Sequence, residues 1–588
     1  MRVTEQQTFS ILANNLERSR SRALAIQQQV STGKQVQQPS DDPSAFNHIV
    51  LDKTSLAAIE QRLRNISFGQ TRLDLSDNLL TSTSDTLSRI QELAVQFKSD
   101  TNGLSERVIG SSEVRQLYSA VLQSANTELN GQPIFTGTST HGRTTGLAIT
   151  TPVTLTNGTN DTLVVSVDGV TSGTIDLTTA TGSFTGPQLA DRVQTQINAD
   201  AALSASGKHV TVTFDTDHLV IASDTHGPSS TVSITSGTSL TSLGLVGGTR
   251  TTGASPFAMT ATTSAGSTNT GGAIVSQGSV FDPNQVTLDD YIVRFSSATK
   301  YDVLDVTGPV GVTRNSTNTG GAVASDAGII SPASLTLNNY AIQFTSSTQY
   351  NIVNTTTSTT VSSGNTYVSG NAIEFDGLRV ILSNGQQGGP QSGDSFAVSL
   401  APRMVLANQT YSTGTEISFE GLRLQLSTGA SGPAAGDRFA VVSGAQYQGD
   451  TGVHHIEVGN NQTVQTNVAG NRIFAGPNVD LFASIKSLVT SLRSNYRGGI
   501  SDTIGNLTTG LNQTGAVIGE VGALSNRLTT SGDRLQDSKT FFSKTLSETE
   551  DVDLAKAISD LTLQQYAIEA ASRTLNQVFG NSLLKYLQ

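Results

Sequence analysis

At 588 residues the chain exceeds what one hydrophobic core can hold, because cores stop growing at about 250–300 residues, so about four modules are expected. It contains no Cys and no Trp, and only 14% of its residues are charged, which excludes a disulfide framework, Cys-ligated zinc and a thiol nucleophile. With 35 basic against 47 acidic residues the net charge is −12, which repels the phosphate backbone of nucleic acid.

The opening, Met1 to Gln7, has no apolar stretch like the core of a secretory signal, and no run of about 18 apolar residues occurs anywhere. The expectations are therefore no membrane span, no cleaved signal peptide and no nucleic-acid partner. Phe9, Leu12, Leu16, Ala23, Ile26 and Val30 follow at three- and four-residue steps, interrupted only by Ser19, and read as a coiled-coil seam. Past a turn at Pro39 to Pro43 the heptad resumes as Ile59, Ile66, Leu73, Leu80, Leu87 and Ala94. The helical region is expected to run to about Leu129, where Asn130-Gly131-Gln132-Pro133 breaks it.

After Gly142 the texture changes to Thr, Ser, Gly, Val and Ile. Alternating runs such as Leu163–Val167 and His209–Thr213 read as strands, with one helical patch at Pro187 to Ile197. A compact β-rich domain with one helix is expected over 141–250. An internal repeat follows: Ser267-Thr268-Asn269-Thr270-Gly271-Gly272-Ala273 returns as Ser316-Thr317-Asn318-Thr319-Gly320-Gly321-Ala322, with Tyr291 mapping to Tyr340 and Phe295 to Phe344. A second duplication pairs Phe375–Arg379 with Phe419–Arg423, and Gly393-Asp394 with Gly436-Asp437. Two copies of each predict small twin β modules rather than a solenoid, with duplicated modules of period 49 at 251–355 and a second duplicated pair at 356–446.

Helical character returns near Val479 in the final segment, 447–588. A helix through Leu481, Ile485, Leu488 and Leu492 leads to a break at Arg497-Gly498-Gly499, and a turn is expected near Glu548 to Asp553. Val521, Leu528, Leu535 and Phe542 keep the seven-residue spacing, as do Leu554, Leu561, Ile568 and Leu575. Stripes this narrow need a partner, either the other terminus or another copy. The fold class expected is α+β and multidomain: a discontinuous α-helical coiled-coil bundle formed by N- and C-terminal segments, with inserted β-rich domains.

Chemistry-bearing motifs give way to plainer readings. Neighbouring His454 and His455 would point to opposite faces of a strand and could not share a metal. Asp41-Asp42 sits in a Pro-bounded turn before a helix, where a carboxylate accepts the free amides of the first turn. The glycines from Gly505 to Gly522 lack the Gly-Lys-Ser/Thr of a phosphate loop and imply close helix approach or bending. The expectation is no active site, no cofactor, no metal and no enzyme.

Four stretches resemble one family. Gln29-Val30-Ser31-Thr32-Gly33-Lys34-Gln35-Val36 with Pro39-Ser40-Asp41-Asp42-Pro43-Ser44-Ala45 is similar to the turn between the first two helices of the flagellar hook-associated proteins, a flagellin-like family. Gly131–Gly137, Tyr447-Gln448-Gly449-Asp450 with Gly470–Phe474, and Glu550–Ala555 with Leu561 and Ser582-Leu583-Leu584 resemble other parts of it. Leu163 to Leu245 also resembles the module inserted in such proteins. The Ser-Thr-Gly-Lys turn, Ser-Asp-Asp-Pro and the ending Leu583 to Gln588 favour the hook–filament junction member, with filament-forming flagellin as the alternative.

The resemblance implies a structural component of the bacterial flagellum, extracellular and exported unfolded by the flagellar secretion apparatus, joining hook to filament. Its implied partners are other copies of itself in a tubular assembly, another hook-associated protein, flagellin, and an export chaperone that shields the stripes beforehand. The residues expected at the assembly interface are Phe9, Leu12, Leu16, Ile26, Val30, Leu554, Leu561, Ile568 and Leu575. A secreted adhesin or enzyme on a helical stalk is the reading from another class, and no catalytic cluster supports it.

Overall fold

The structure is a computed structural model describing residues 2–138, 141–178, 180–215, 217–226, 230–245, 250–252, 256–275, 278–282, 285–413, 416–427 and 431–584. Long helices occupy both ends and β-sheets fill the middle, so the α+β architecture expected from the two textures is present. The chain divides into two compact units, one of Met1–Thr71, His455–Val464 and Ser525–Gln588, the other of Arg72–His454 and Gln465–Leu524.

The first unit is helical. Helix α1 (Arg2–Thr32) is followed by the start of α2 (Pro43–Lys98). The turn between them is built by two carboxylates: Asp41 Oδ2 accepts the amides of Gln37 at 3.0 Å and Gln38 at 3.1 Å, and Asp42 Oδ1 accepts those of Ser44 at 2.9 Å and Ala45 at 3.0 Å. Asp42 thus caps α2, and Pro43 occupies a first-turn position that needs no donor. At Ile59 and Ile66 the heptad of α2 is buried. Against it lies the end of α7 (Arg497–Glu550), antiparallel, with Gln70 donating to Thr529 at 3.2 Å and Lys539 paired with Glu60 at 3.0 Å. A hairpin of strands His455–Gly459 and Gln462–Gln465 attaches through Arg62, which donates to Glu457 at 2.7 Å and Asn460 at 2.9 Å. Helix α8 (Leu554–Leu584) packs along α1 and starts where α1 ends, so the two run antiparallel.

In the second unit the heptad continues, fully buried, as Leu73, Leu80, Leu87 and Ala94 of α2 and as Leu507 and Val521 of α7. Helix α3 (Leu104–Ala125) lies on α6 (Leu481–Arg493). The N-terminal helical region ends at Ala125, earlier than Leu129, because Glu128-Leu129 pairs with Gln132-Pro133 across Asn130 (φ 53°) and Gly131 (φ 75°), the tight Asn-Gly hairpin turn. The later break falls at Ser494 to Tyr496, with Asn495 at φ 58°, rather than at Arg497-Gly498-Gly499. Those glycines lie inside α7, where a Cβ would collide with the Tyr496 ring. Of the glycines from Gly505 to Gly522, only Gly510 lies where a Cβ would strike a neighbour, Leu481 of α6.

Three β cores follow. The first gathers Val153 through Leu245, the region expected as one domain, but it carries two helices, α4 (Gly186–Asn198) and the short α5 (Ala201–Ala205), the second capped by Asp200. The other two cores correct the expected division into 251–355 and 356–446. One gathers Tyr291, Phe295, Tyr301, Ile417, Phe419 and Phe439, so the first copy of the early repeat pairs with the last copy of the late repeat. The other gathers Tyr340, Phe344, Tyr350, Ile373, Phe375 and Phe396, which lie between those halves in sequence. One domain (310–400) is therefore nested inside another (257–306 with 403–447).

Candidate assembly site

The terminal unit is closed by a strap between its two turns. Gly33 O accepts the Val552 amide at 3.0 Å, the Gln35 amide donates to Glu550 O at 2.7 Å, and Lys34 and Asp551 form an antiparallel bridge. The Glu550 carboxylate is buried beneath it, ion-paired with Lys34 and, at 2.7 Å, with Lys53 of α2. Burial alone would raise this carboxyl, but the hydrogen bonds and charges of Lys34 and Lys53 outweigh it and hold it below the usual glutamate range. In turn the hydrogen bond to Glu550 raises Lys34. The Gln37 and Gln38 amides hold Asp41 below the carboxylate range, consistent with a turn-forming role.

Along the α1–α8 pair, Leu12, Leu16, Ile26 and Val30 are half-buried on α1, as are Leu561, Ile568 and Leu575 on α8. Phe9 lies in α1, and its side chain is outside the description, as are those at Ser582 to Leu584; residues 585–588 lie outside the described residues altogether. Leu554 opens α8 and is 49% exposed, outside the seam within this chain. Ile11 and Leu24 on α1 and Ile558, Leu563 and Tyr566 on α8 are also exposed, so both helices carry apolar side chains outside their mutual seam. The Lys34–Lys53–Glu550 cluster was not among the expected site residues. Lys34 and Glu550 each lay in a singled-out turn, but nothing local marks Lys53.

In the second unit, two other singled-out stretches meet where the β region leaves and rejoins the helices. Tyr447 Oη lies 2.9 Å from the Phe135 carbonyl and 2.7 Å from that of Asp450, its one proton shared between them, and the Asp450 carboxylate accepts the Thr138 amide at 2.7 Å. The Gly470 amide donates to Phe135 O at 2.7 Å. Phe257 lies between Tyr447, Phe474 and Phe482, with ring centroids 5.1, 5.2 and 5.0 Å away. His454 donates its amide to Asn467, and His455 opens a separate strand. Among the described residues no group of three or more His, Cys, Asp or Glu could hold a metal ion, and no helix is long and apolar enough to cross a membrane.

Residues 3–140 match the bacterial flagellin N-terminal helical region and residues 503–587 match its C-terminal helical region. Over 138 residues the chain is 25% identical to flagellar hook-associated protein 3 of Salmonella typhimurium and 27% identical to that of Escherichia coli; each match covers 23% of this chain and 44% of the relative, less than half of its length. Among solved structures, the Xanthomonas campestris FlgL crystal structure aligns over 84% of this chain and 99% of its own at 17% identity, with a TM-score of 0.29. Both ends of this chain, held together through Lys34 and Glu550, are thus similar to the N-terminal and C-terminal helical regions of bacterial flagellin.

Proposed function

We propose that this chain is a structural component of the bacterial flagellum, a hook-associated protein that joins hook to filament by coiled-coil packing of its termini. The observation that carries this reading is the half-buried α1–α8 pair. Its seam residues Leu12, Leu16, Ile26, Val30, Leu561, Ile568 and Leu575 leave Leu24, Leu563 and Tyr566 in water, so a self-associating tube would cover what one chain alone cannot. The relatives named hook-associated protein 3 support the junction role over other members. The chain acts by packing rather than catalysis, outside the cell, after export by the flagellar secretion apparatus. Its neighbours are further copies of itself, another hook-associated protein and flagellin, with a chaperone holding the apolar stripes before assembly.

A second reading, filament-forming flagellin, is favoured by the two matched regions, both of which are described for flagellin. Deleting the gene separates them. Loss of a junction protein leaves hooks without filaments and sends flagellin into the medium. Loss of the flagellin leaves hooks without filaments and no flagellin outside the cell, and normal filaments would reject both.

A further inference from the structure

We infer that residues 310–400 are a second, complete copy of the surrounding β module, grafted into the tip of one of that module's own hairpins. Strand pairing carries the identity beyond sequence likeness. In the outer domain Ala261 pairs with Ser443 and Ala265 with Phe439; in the inner domain Val310 pairs with Leu400 and Arg314 with Phe396. Tyr291 faces Val441 as Tyr340 faces Val398, and Val280 faces Leu422 as Ile329 faces Leu378. Side-chain devices repeat as well. Tyr291 hydrogen-bonds Thr287 and Glu420 as Tyr340 does Thr336 and Asp376, and Tyr411 donates to Leu426 O at 3.2 Å as Tyr367 does to Leu382 O at 3.3 Å. Even the left-handed backbone at a leucine recurs, at Leu288 (φ 61°) and Leu337 (φ 62°). A non-glycine residue rarely adopts it, so two independent origins at matching positions are improbable.

The graft point is still visible. In the inner copy, strands Gln349–Asn354 and Thr359–Thr366 are joined by a four-residue turn, Thr355 to Ser358. That turn begins with the Thr355 amide donating to Asn339 O at 2.9 Å, the Thr356 amide to Asn354 Oδ1 at 3.0 Å, and Thr356 Oγ1 accepting the Asn339 amide at 2.9 Å. In the outer copy, strands Lys300–Asp305 and Arg403–Thr410 end on the matching pair, Asp305 with Arg403. There the Val306 amide donates to Asp290 O at 2.9 Å, the Thr307 amide to Asp305 Oδ1 at 2.9 Å, and Thr307 Oγ1 accepts the Asp290 amide at 2.9 Å. The outer hairpin therefore makes the first half of the same turn, and after Thr307 the chain departs into the inner domain, returning at Arg403.

Where the copies differ, they meet different neighbours. Asp289, Asp290 and Asp305 of the outer copy engage Arg493 and Lys486 of α6, and their counterparts in the inner copy are the neutral amides Asn338, Asn339 and Asn354. Ile292, Leu304 and Val306 of the outer copy are buried in the inner domain's cluster, whereas the corresponding Ala341, Val353 and Thr355 are smaller or more polar. An end module needs such a face, because nothing stacks on it.

The test excises the graft from the full chain: Gly308 to Pro402 is replaced by Thr-Ser, the second half of the inner copy's own turn. A second variant adds Ile292→Ala, Leu304→Val and Arg438→Ser, the residues that the inner copy carries at those positions, so that removal of the cover does not itself unfold the outer sheet. The readout is amide hydrogen exchange at Tyr291, Val293, Phe439 and Val441. Protection within about tenfold of the full chain in either variant is the expected result. Exchange at unfolded-chain rates in both would overturn the inference, because it would mean that the outer halves are not a closed module without 308–402.

Discussion

Lys34 and Glu550 lie 516 residues apart in sequence and form an ion pair that ties the α1–α2 turn to the α7–α8 turn. Lys53 of α2 joins the same carboxylate, so the α1–α2 turn and α2 converge on one buried acid at the end of α7. Chain ends meeting over such a distance give the terminal bundle a long-range closure that neither end could form alone.

Glu550→Gln keeps the shape of the side chain while removing its charge, so the backbone strap at Gly33, Gln35 and Val552 should persist. Both lysines are more than 40% exposed, and solvent screening limits the loss to about 1 kcal/mol. Hydrogen exchange should show faster opening of α1 and α8 with the β domains unchanged. Equal loss throughout the protein would contradict a local role.

The same carboxylate sets a pH dependence. Because its folded pKa is depressed, its contribution is present above the ordinary glutamate value of about 4.3 and is lost as pH falls through the lower folded value. Lys34 is raised, so its share is present below the ordinary lysine value of about 10.4 and disappears only as pH rises through the folded value above it. Comparing opening of the terminal unit at pH 7 and near pH 3 should give a difference that shrinks in Glu550→Gln. An identical difference in both proteins would assign the pH response elsewhere.

Asp289 is buried against Arg493, with Arg493 reaching Asp305 at 3.7 Å. Replacing Asp289 by Ala leaves Arg493 only its longer contact with Asp305 and should cost about 1–3 kcal/mol in urea denaturation of the core built around Tyr291. Replacing Asn338, its inner counterpart, by Ala should cost clearly less. Equal losses would show that the α6 anchor is not what the outer acids provide.

Ile568→Asp places a carboxylate in the half-buried α8 seam, costing roughly 1–3 kcal/mol locally even if the group protonates. Gln565→Asp, on the exposed side of the same helix, is the control. Cells producing Ile568→Asp should secrete the protein yet carry hooks without filaments, while the control swims. Normal filaments with Ile568→Asp would remove this helix from the assembly role.

Periodicity made the long helices readable, because every seventh residue from Ile59 to Ala94 is indeed buried. At Leu554, the first residue of α8, the same spacing falls on an exposed side chain, so periodicity alone does not tell a seam within the chain from a surface left for another copy. Asp41 and Asp42 were legible as turn and cap residues because the Pro-bounded spacing dictates where the free amides lie. The nesting was not: repeats reveal which segments are alike, but not which copy of one half pairs with which copy of the other, and that depends on strand pairing over more than a hundred residues. Lys53 escaped for a similar reason, since its partner Glu550 lies 497 residues away and nothing in its own neighbourhood requires a cation.

The most direct test of the junction reading is where the protein sits on an intact flagellum. Immunogold labelling with antibody against the exposed β domains should mark one short band at the distal end of the hook. Labelling along the whole filament would identify the chain as flagellin instead, and flagella carrying no label would contradict the structural role altogether.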